Sequence, residues 1–203
     1  ASLDNKLRFF DIEQIKKEVL LLINNGGRVF KFLDRTFNAN KKNFLSLIDF
    51  IILHHKENNS FQFEITGDLL DDDVIRYINE KAPKNLFRFE IGIQSTNNIV
   101  NEAVCRRQNM DKLRKNIFLL NKTNKVDLHI DLIAGLPYET KESFINSFNE
   151  AFLLRGKELQ LGFLKFLRGT KMLDMVDEHE YKYSHKAPYE IISNKYMSNE
   201  DLK

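Results

Sequence analysis

Residues 126–140 read VDLHIDLIAGLPYET, and residues 86–95 read LFRFEIGIQS. Both runs alternate apolar and polar side chains, the period-2 signature of a strand with two unlike faces. Phe87, Phe89, Ile91 and Ile93 lie on one face, with Arg88, Glu90, Gly92 and Gln94 on the other. Val126, Leu128, Ile130 and Leu132 likewise oppose Asp127, His129 and Asp131. The second run ends in a Gly-Leu-Pro turn. Thr140 follows as a helix N-cap, and Phe144, Ile145, Phe148 and Phe152 then recur at helical spacing. The order strand, turn, helix is therefore written into one stretch.

The same alternation of element types extends outward. Strand-like runs occupy residues 28–34, 61–66, 86–95, 126–134 and 159–167. Helix-like spacing precedes or separates them: Ile12 to Ile23, Phe44 to Ile52, Leu70 to Ile78, Leu113 to Leu120 and Phe144 to Phe152. Asp71, Asp72 and Asp73 suit the positive end of a helix dipole, and Gly26-Gly27 suits a helix C-terminus. The predicted architecture is α/β, an (αβ)₅ order with a parallel sheet, closed in part as a barrel or doubly wound. Buried parallel strands normally read as continuous apolar runs. Here one face is polar, which implies a barrel interior that is paired internally or built around a polar ligand. An antiparallel sheet with one solvated face is the alternative, and the intervening helices oppose it.

Composition bounds the chemistry. The chain has 203 residues, 31 Lys and Arg against 29 Asp and Glu, and one cysteine, Cys105. That balance gives no electrostatic case for nucleic acid or a membrane as main partner. One thiol excludes a disulfide scaffold and a cluster site held by this chain alone. A soluble, cytoplasmic protein is expected. Ligands of α/β sheets sit beyond the carboxyl ends of strands, which selects Asp34, Arg35, Thr36, Asn38, Thr66, Gly67, Asp68, Gln94, Ser95, Gly135, Leu136 and Pro137. No nucleophile–base pair, phosphate loop or metal-ligand spacing stands among them. Plain structural roles are expected for Cys105 (a packed hydrophobe), His54-His55 (a helix end) and Glu64 (an ion pair with Arg88 or Lys31). His129 is expected to pair with Asp127 or Asp131. Residues 174–203 lose periodicity, so a body over 1–173 is expected. Met172 to Val176 would be a short last helix, and the extension after it would need something else to pack on.

The IGIQS strand end (91–95), the Arg106 of AVCR (103–106), and DLIAGLPYET (131–140) stand in the order found in radical S-adenosylmethionine (SAM) enzymes, which this chain resembles from about residue 8 to 172. The resemblance is to the branch containing the oxygen-independent coproporphyrinogen oxidase and the cobalamin-dependent Fe–S oxidoreductases. FLDRTFN (32–38) and LRGT (167–170) look like strand ends of the cobalamin-dependent subgroup.

The resemblance implies a partial, TIM-barrel-like parallel (β/α) barrel, with five strands present and the family's first strand missing. It implies a [4Fe–4S] cluster and SAM as cofactors of the parent protein, with cobalamin in that subgroup, and a small-molecule substrate. By matching position, Asp34 and Thr36 would lie near the SAM amino group. Glu90, Gln94 and Arg106 would lie near the ribose and carboxylate. Asp131 and the backbone of Ala134, Gly135, Leu136 and Pro137 would lie near the adenine and the substrate. The departure is the absence of C-x-x-x-C-x-x-C. The expectation is therefore a piece of such an enzyme, inactive by itself, whose exposed sheet edge favours dimerisation. A metal-dependent barrel phosphodiesterase and a non-catalytic binding module are the alternatives.

Overall fold

The computed structural model describes residues 8–203. Five strands form one sheet: β1 (Val29–Lys31), β2 (Ser60–Glu64), β3 (Phe87–Gln94), β4 (Asp127–Ala134) and β5 (Glu158–Phe163). They lie in sequence order β1-β2-β3-β4-β5, and every pairing is parallel. Helices α1 (Ile12–Asn24), α2 (Lys41–His54), α3 (Asp72–Lys81), α4 (Asn98–Ala103), α5 (Met110–Asn121) and α6 (Lys141–Leu153) precede or connect them. Neighbours in sequence are neighbours in the sheet, as in a partial barrel wound in one direction. The expected α/β class with five parallel strands is what the chain adopts.

Local chemistry sets the helix starts. Asp11, Asn40, Asn97, Asn109 and Thr140 each accept a hydrogen bond from a backbone N–H two or three residues on, so five of the six helices carry a side-chain cap. Helix α1 ends where Gly26 takes a φ of +87°, a conformation glycine adopts without a side-chain clash. Phenylalanines fill the space between the sheet and its helices. Phe63 is fully buried, with the rings of Phe32, Phe37, Phe44, Phe87 and Phe89 around it. Phe30 stacks on Phe61 across β1 and β2 at 4.4 Å. The apolar strand faces thus meet the helices, and the polar faces point the other way.

Two expectations need correction, and the short last helix is met in a tighter form. The connection between β3 and β4 is two helices, because Cys105 (φ +57°) and the Asn109 cap interrupt it. Met172 to Val176 is the site of a 3₁₀ helix, Lys171–Met175. The C-terminal extension packs on this same chain. Its strands β6 (Lys182–Tyr183) and β7 (Ile191–Ser193) form an antiparallel pair. Tyr181, Ile191, Met197 and Leu202 join Val100, Ala134, Leu136, Leu164 and Phe166 in a second buried cluster. Backbone bonds from Ile191 to Leu164 and from Phe166 to Tyr189 tie the tail to the segment after β5. Isolated apolar residues in a polar tail carry no period, so only the fold reveals that they share a partner.

Candidate functional site

The polar faces of β2 to β5 form layers set by the register. Gln62, Arg88 and Asp127 make the lowest layer. Glu64, Glu90, His129 and Glu158 lie above them, and Gly92, Asp131 and Gln160 come next. Arg88 reaches past β4 to Glu158 on β5 through two hydrogen bonds, 2.8 and 2.7 Å, so the sheet is concave on this side. Arg88 Nη2 also contacts His129 Nδ1. A guanidinium only donates, so Nδ1 is the acceptor of this contact, opposite Nε2 on the ring. That nitrogen is 3.0 Å from Asp131 Oδ1, an ion-pair distance without hydrogen-bond alignment. Gln62 donates to Glu90. Burial first, and then the neighbouring Glu90, raises the Glu64 carboxyl above its usual range. Burial raises Asp131 as well, against the pull of His129.

The upper layer is organised around Gly92. Arg106 Nη2 and Gln108 Nε2 both donate to its carbonyl, the latter at 2.9 Å. A Cβ at position 92 would push aside Gln94 Nε2, the movable end of that side chain. The glycine therefore lets three long polar side chains converge on one strand. Three buried atoms there have no partner in the protein, Gln94 Oε1, Arg106 Nε and Gln108 Oε1, and Asp131 Oδ1 has only its ion-pair contact with His129. A buried polar atom without a partner costs about 1–3 kcal/mol, and three in one place suit a polar ligand. Burial lowers the Arg106 pKa, opposed by Asp68 and Asp131, so its charge is thinly solvated and set against carboxylates. Gln94 has a φ of +69°, backbone strain in a residue other than glycine at a strand end.

Two further groups frame this centre. Thr36 Oγ1 donates to the Arg35 carbonyl and lies 3.3 Å from Thr66 Oγ1. Asn38 is buried and exchanges two 2.9 Å hydrogen bonds with the Thr66 backbone. It is a clamp between the ends of β1 and β2, not a free ligand group. Asn38→Ala leaves both Thr66 groups unpaired, and we expect a loss of about 2 kcal/mol in urea denaturation; a change within 0.5 kcal/mol would contradict the clamp. On the far side, Gly135 (φ +88°) and buried Pro137 form the turn after β4. Glu139 is fully buried, accepts from Ser95 Oγ at 2.5 Å, and has Ser147 Oγ at 3.5 Å. Ser147 Oγ accepts from the Thr96 N–H at 3.0 Å. This knot joins the loop after β3 to the turn after β4. With no cation to offset it, burial pushes the Glu139 carboxyl up to about 7.

The sequence-derived residues divide accordingly. Glu90, Gln94, Arg106 and Asp131 share one concave face, with Asp131 close enough to affect the titration of Arg106 and to feel Glu90. Asp34 is exposed and acts on Glu64 from the loop after β1. Thr36, Gly135 and Pro137 sit in strand-end loops, and the Gly135 carbonyl is taken by the tail. Gln108, Glu139 and Ser147 were missed. Gln108 stands two residues after Arg106, which was the available signal. Two structural expectations fail: Cys105 is exposed, and Arg88 pairs with Glu158 and not with Glu64. Asp71, Asp72 and Asp73 open α3 as expected and pair with Lys41, Lys112 and Lys115. Among the described residues, no group of three or more His, Cys, Asp or Glu side chains could hold a metal ion. No helix among them is long and apolar enough to cross a membrane.

Known proteins share this fold. The family model described as "Radical SAM superfamily" matches residues 2–151. The chain is 26% identical over 128 residues to coproporphyrinogen III oxidase, anaerobic 1, of Cereibacter sphaeroides, covering 63% of this chain and 28% of that protein. The fold is shared with the radical SAM coproporphyrinogen III oxidase HemN of Escherichia coli: TM-score 0.60, 20% identity, 77% of this chain and 38% of that one. It is also shared with TsrM of Kitasatospora setae, a radical SAM methyltransferase solved with tryptophan and a SAM analogue: TM-score 0.70, 11% identity, 83% of this chain and 33% of that one. The chain thus spans little more than a quarter of its curated relative.

Proposed function

Since the chain belongs to the Radical SAM superfamily, we propose that its concave face binds SAM above β3 and β4. It would do so as part of an enzyme that cleaves SAM reductively at a [4Fe–4S] cluster. The observation that carries this reading is the convergence of partnerless atoms at Gly92. Gln94 Oε1 and Gln108 Oε1 are acceptors and Arg106 Nε is a donor, beside Asp131 in its ion pair with His129, a set that suits a zwitterion carrying a ribose and a purine. Arg106 would donate from Nε and Nη2 to the SAM carboxylate, with the second Nη2 proton kept on the Gly92 carbonyl. Glu90 and Gln94 would face the ribose, Asp34 and Thr36 the amino group, and Asp131 with the 134–137 backbone the adenine.

The cluster does not fit the residues present. One exposed cysteine cannot supply the thiolates of C-x-x-x-C-x-x-C. These 203 residues are proposed to have no radical activity by themselves. The subgroup motifs, and the fold shared with a TsrM structure containing cobalamin and a [4Fe–4S] cluster, support cobalamin use by the whole enzyme, acting on a small molecule. A phosphodiesterase reading has no metal-holding group to rest on among the described residues.

Calorimetric titration of SAM into the chain is expected to give saturable binding, and its absence would overturn the reading. A longer polypeptide carrying the three cysteines, reconstituted anaerobically, is expected to yield methionine and 5′-deoxyadenosine on reduction. Binding without cleavage at an intact cluster would favour a non-catalytic module. The sheet ends at β1 and β5, and an unpaired edge favours strand pairing between copies. Sedimentation velocity at rising concentration is expected to show self-association; a monomer throughout would contradict it.

A further inference from the structure

The near-neutral total of the chain conceals a segregation of charge. All five strands run parallel, so their amino ends share one face, the base, at the opposite end from the centre at Gly92. Five short stretches build it, each leading from the end of a helix to the start of a strand: residues 24–28, 55–59, 80–86, 121–127 and 154–157. Hydrogen bonds fasten neighbouring stretches together. Asn59 Nδ2 donates to the Gly27 carbonyl at 2.8 Å, the Asn85 N–H to the Lys125 carbonyl at 2.9 Å, and Asn121 Nδ2 to the Leu154 carbonyl at 2.8 Å. The five stretches hold eight Lys and Arg residues against three carboxylates, a net +5; the whole chain is +2, so the rest of it is −3. Among the described residues only Lys157 on this face has a carboxylate partner, Asp127 at 2.6 Å. Arg28, Lys81, Lys84, Lys122 and Arg155 are exposed. Helix C-termini favour cations, but five of them, at about half a negative charge each, offset only half of the excess.

Large apolar side chains stand beside these cations. Leu22, Leu53, Phe118, Phe152 and Leu153 lie in the last turns of α1, α2, α5 and α6, and each is more than half exposed. Lys122 Nζ lies 5.3 Å over the Phe118 ring, and the Arg155 guanidinium 5.2 Å over that of Phe152. A protein-binding patch has an apolar core inside a polar rim. Here the order is reversed: the cations lie on the loops that turn inward to the strands, and the apolar side chains are spread over separate helices around them. So placed, they form no single core for a protein partner. Each can instead enter a lipid surface while the cations meet its headgroups. We infer that the base is a docking surface for an anionic membrane, on which the chain sits peripherally with the Gly92 centre facing away.

The test is co-sedimentation of the full chain with vesicles of phosphatidylcholine alone and of equal parts phosphatidylcholine and phosphatidylglycerol, at rising salt. Saturable binding to the anionic vesicles is expected, with none to the neutral ones and a fall as salt screens the charges. Changing Lys81→Glu, Lys84→Glu and Lys122→Glu together is expected to weaken binding at least about 100-fold, roughly fivefold for each cation removed. Lys171→Glu, Lys186→Glu and Lys195→Glu alter the net charge equally, but on the exposed surface of the tail, and are expected to leave binding within about twofold. Phe118→Ser with Phe152→Ser is expected to cost about tenfold without altering the salt dependence. All of these positions are exposed, and thermal melts check that each variant folds. No binding to anionic vesicles, equal losses for the two triple variants, or a double phenylalanine variant that binds as wild type would overturn the inference. So would tighter binding to polyglutamate or to a mixed-sequence oligonucleotide than to the vesicles.

Discussion

Replacing Glu139 with glutamine is expected to flatten the chain's stability between pH 4.5 and pH 8, where the wild type should lose about 3 kcal/mol from this one group. The carboxyl is fully buried, with one oxygen on Ser95 and the other without a partner. Burial raises it from 4.5 to about 7. A raised carboxyl favours the neutral form in the folded state. Below pH 4.5 folded and unfolded chains are both protonated there, and nothing is lost. Above it the unfolded chain ionises first, and stability falls by about 1.4 kcal/mol per pH unit until the folded group ionises near 7. The neighbouring Ser95, Ser147 and Tyr181 carry no charge that would offset it. Glutamine keeps the acceptor for Ser95 and cannot ionise. Urea denaturation of both proteins at pH 5 and pH 8 measures the difference in slope, and parallel profiles would refute the assignment. Groups of opposite sense, such as Asp201 at about 2 with its Ser198 and Lys141 bonds, act in both proteins and below this window.

The second large effect concerns Arg106. Arg106→Met is expected to weaken SAM binding about 30- to 100-fold, the range for a charge-assisted fork to a carboxylate in a poorly solvated site. Stability should move the other way or not at all. The guanidinium is held below its ordinary pKa by burial and keeps its Nε without a partner. An apolar side chain of similar length relieves that cost, and the Gly92 carbonyl retains Gln108. Arg106→Lys should recover little affinity, because a single ammonium cannot donate in parallel. Calorimetry and thermal melts together decide the matter. A joint fall of affinity and melting temperature would mark Arg106 as a structural residue.

The fold was legible where local pattern and tertiary role coincide. Phe87 to Gln94 alternate in sequence and alternate buried and half-buried in the sheet, because one face meets helices and the other a polar hollow. Thr140 caps α6 because a threonine oxygen satisfies an amide whatever the rest of the chain does. Legibility ends where a residue's meaning depends on a distant partner. Arg88 pairs with Glu158 over the top of β4, a contact made by the curvature of the sheet. Glu139 reads as one letter of a turn motif, and only packing shows that its carboxyl is closed off from water. Of the candidate centre, Gln94 stands at a strand end and Glu90, Arg106 and Asp131 enter through the family resemblance, whereas Gln108 needed the Gly92 carbonyl to reveal where its amide points.

The second cluster also decides where this polypeptide can be divided. The family match ends at residue 151, inside α6, and the loss of sequence periodicity invites a boundary near 173. A cut at either place would take Tyr181, Ile191, Met197 and Leu202 away from Ala134 and Leu136, and the cut near 173 would take them from Leu164 and Phe166 as well. It would leave the rim of the barrel greasy and the Gly135 carbonyl unclaimed. For gene fusion, truncation or recombination, any piece that keeps the 134–136 turn packed therefore also keeps Tyr181, Ile191, Met197 and Leu202.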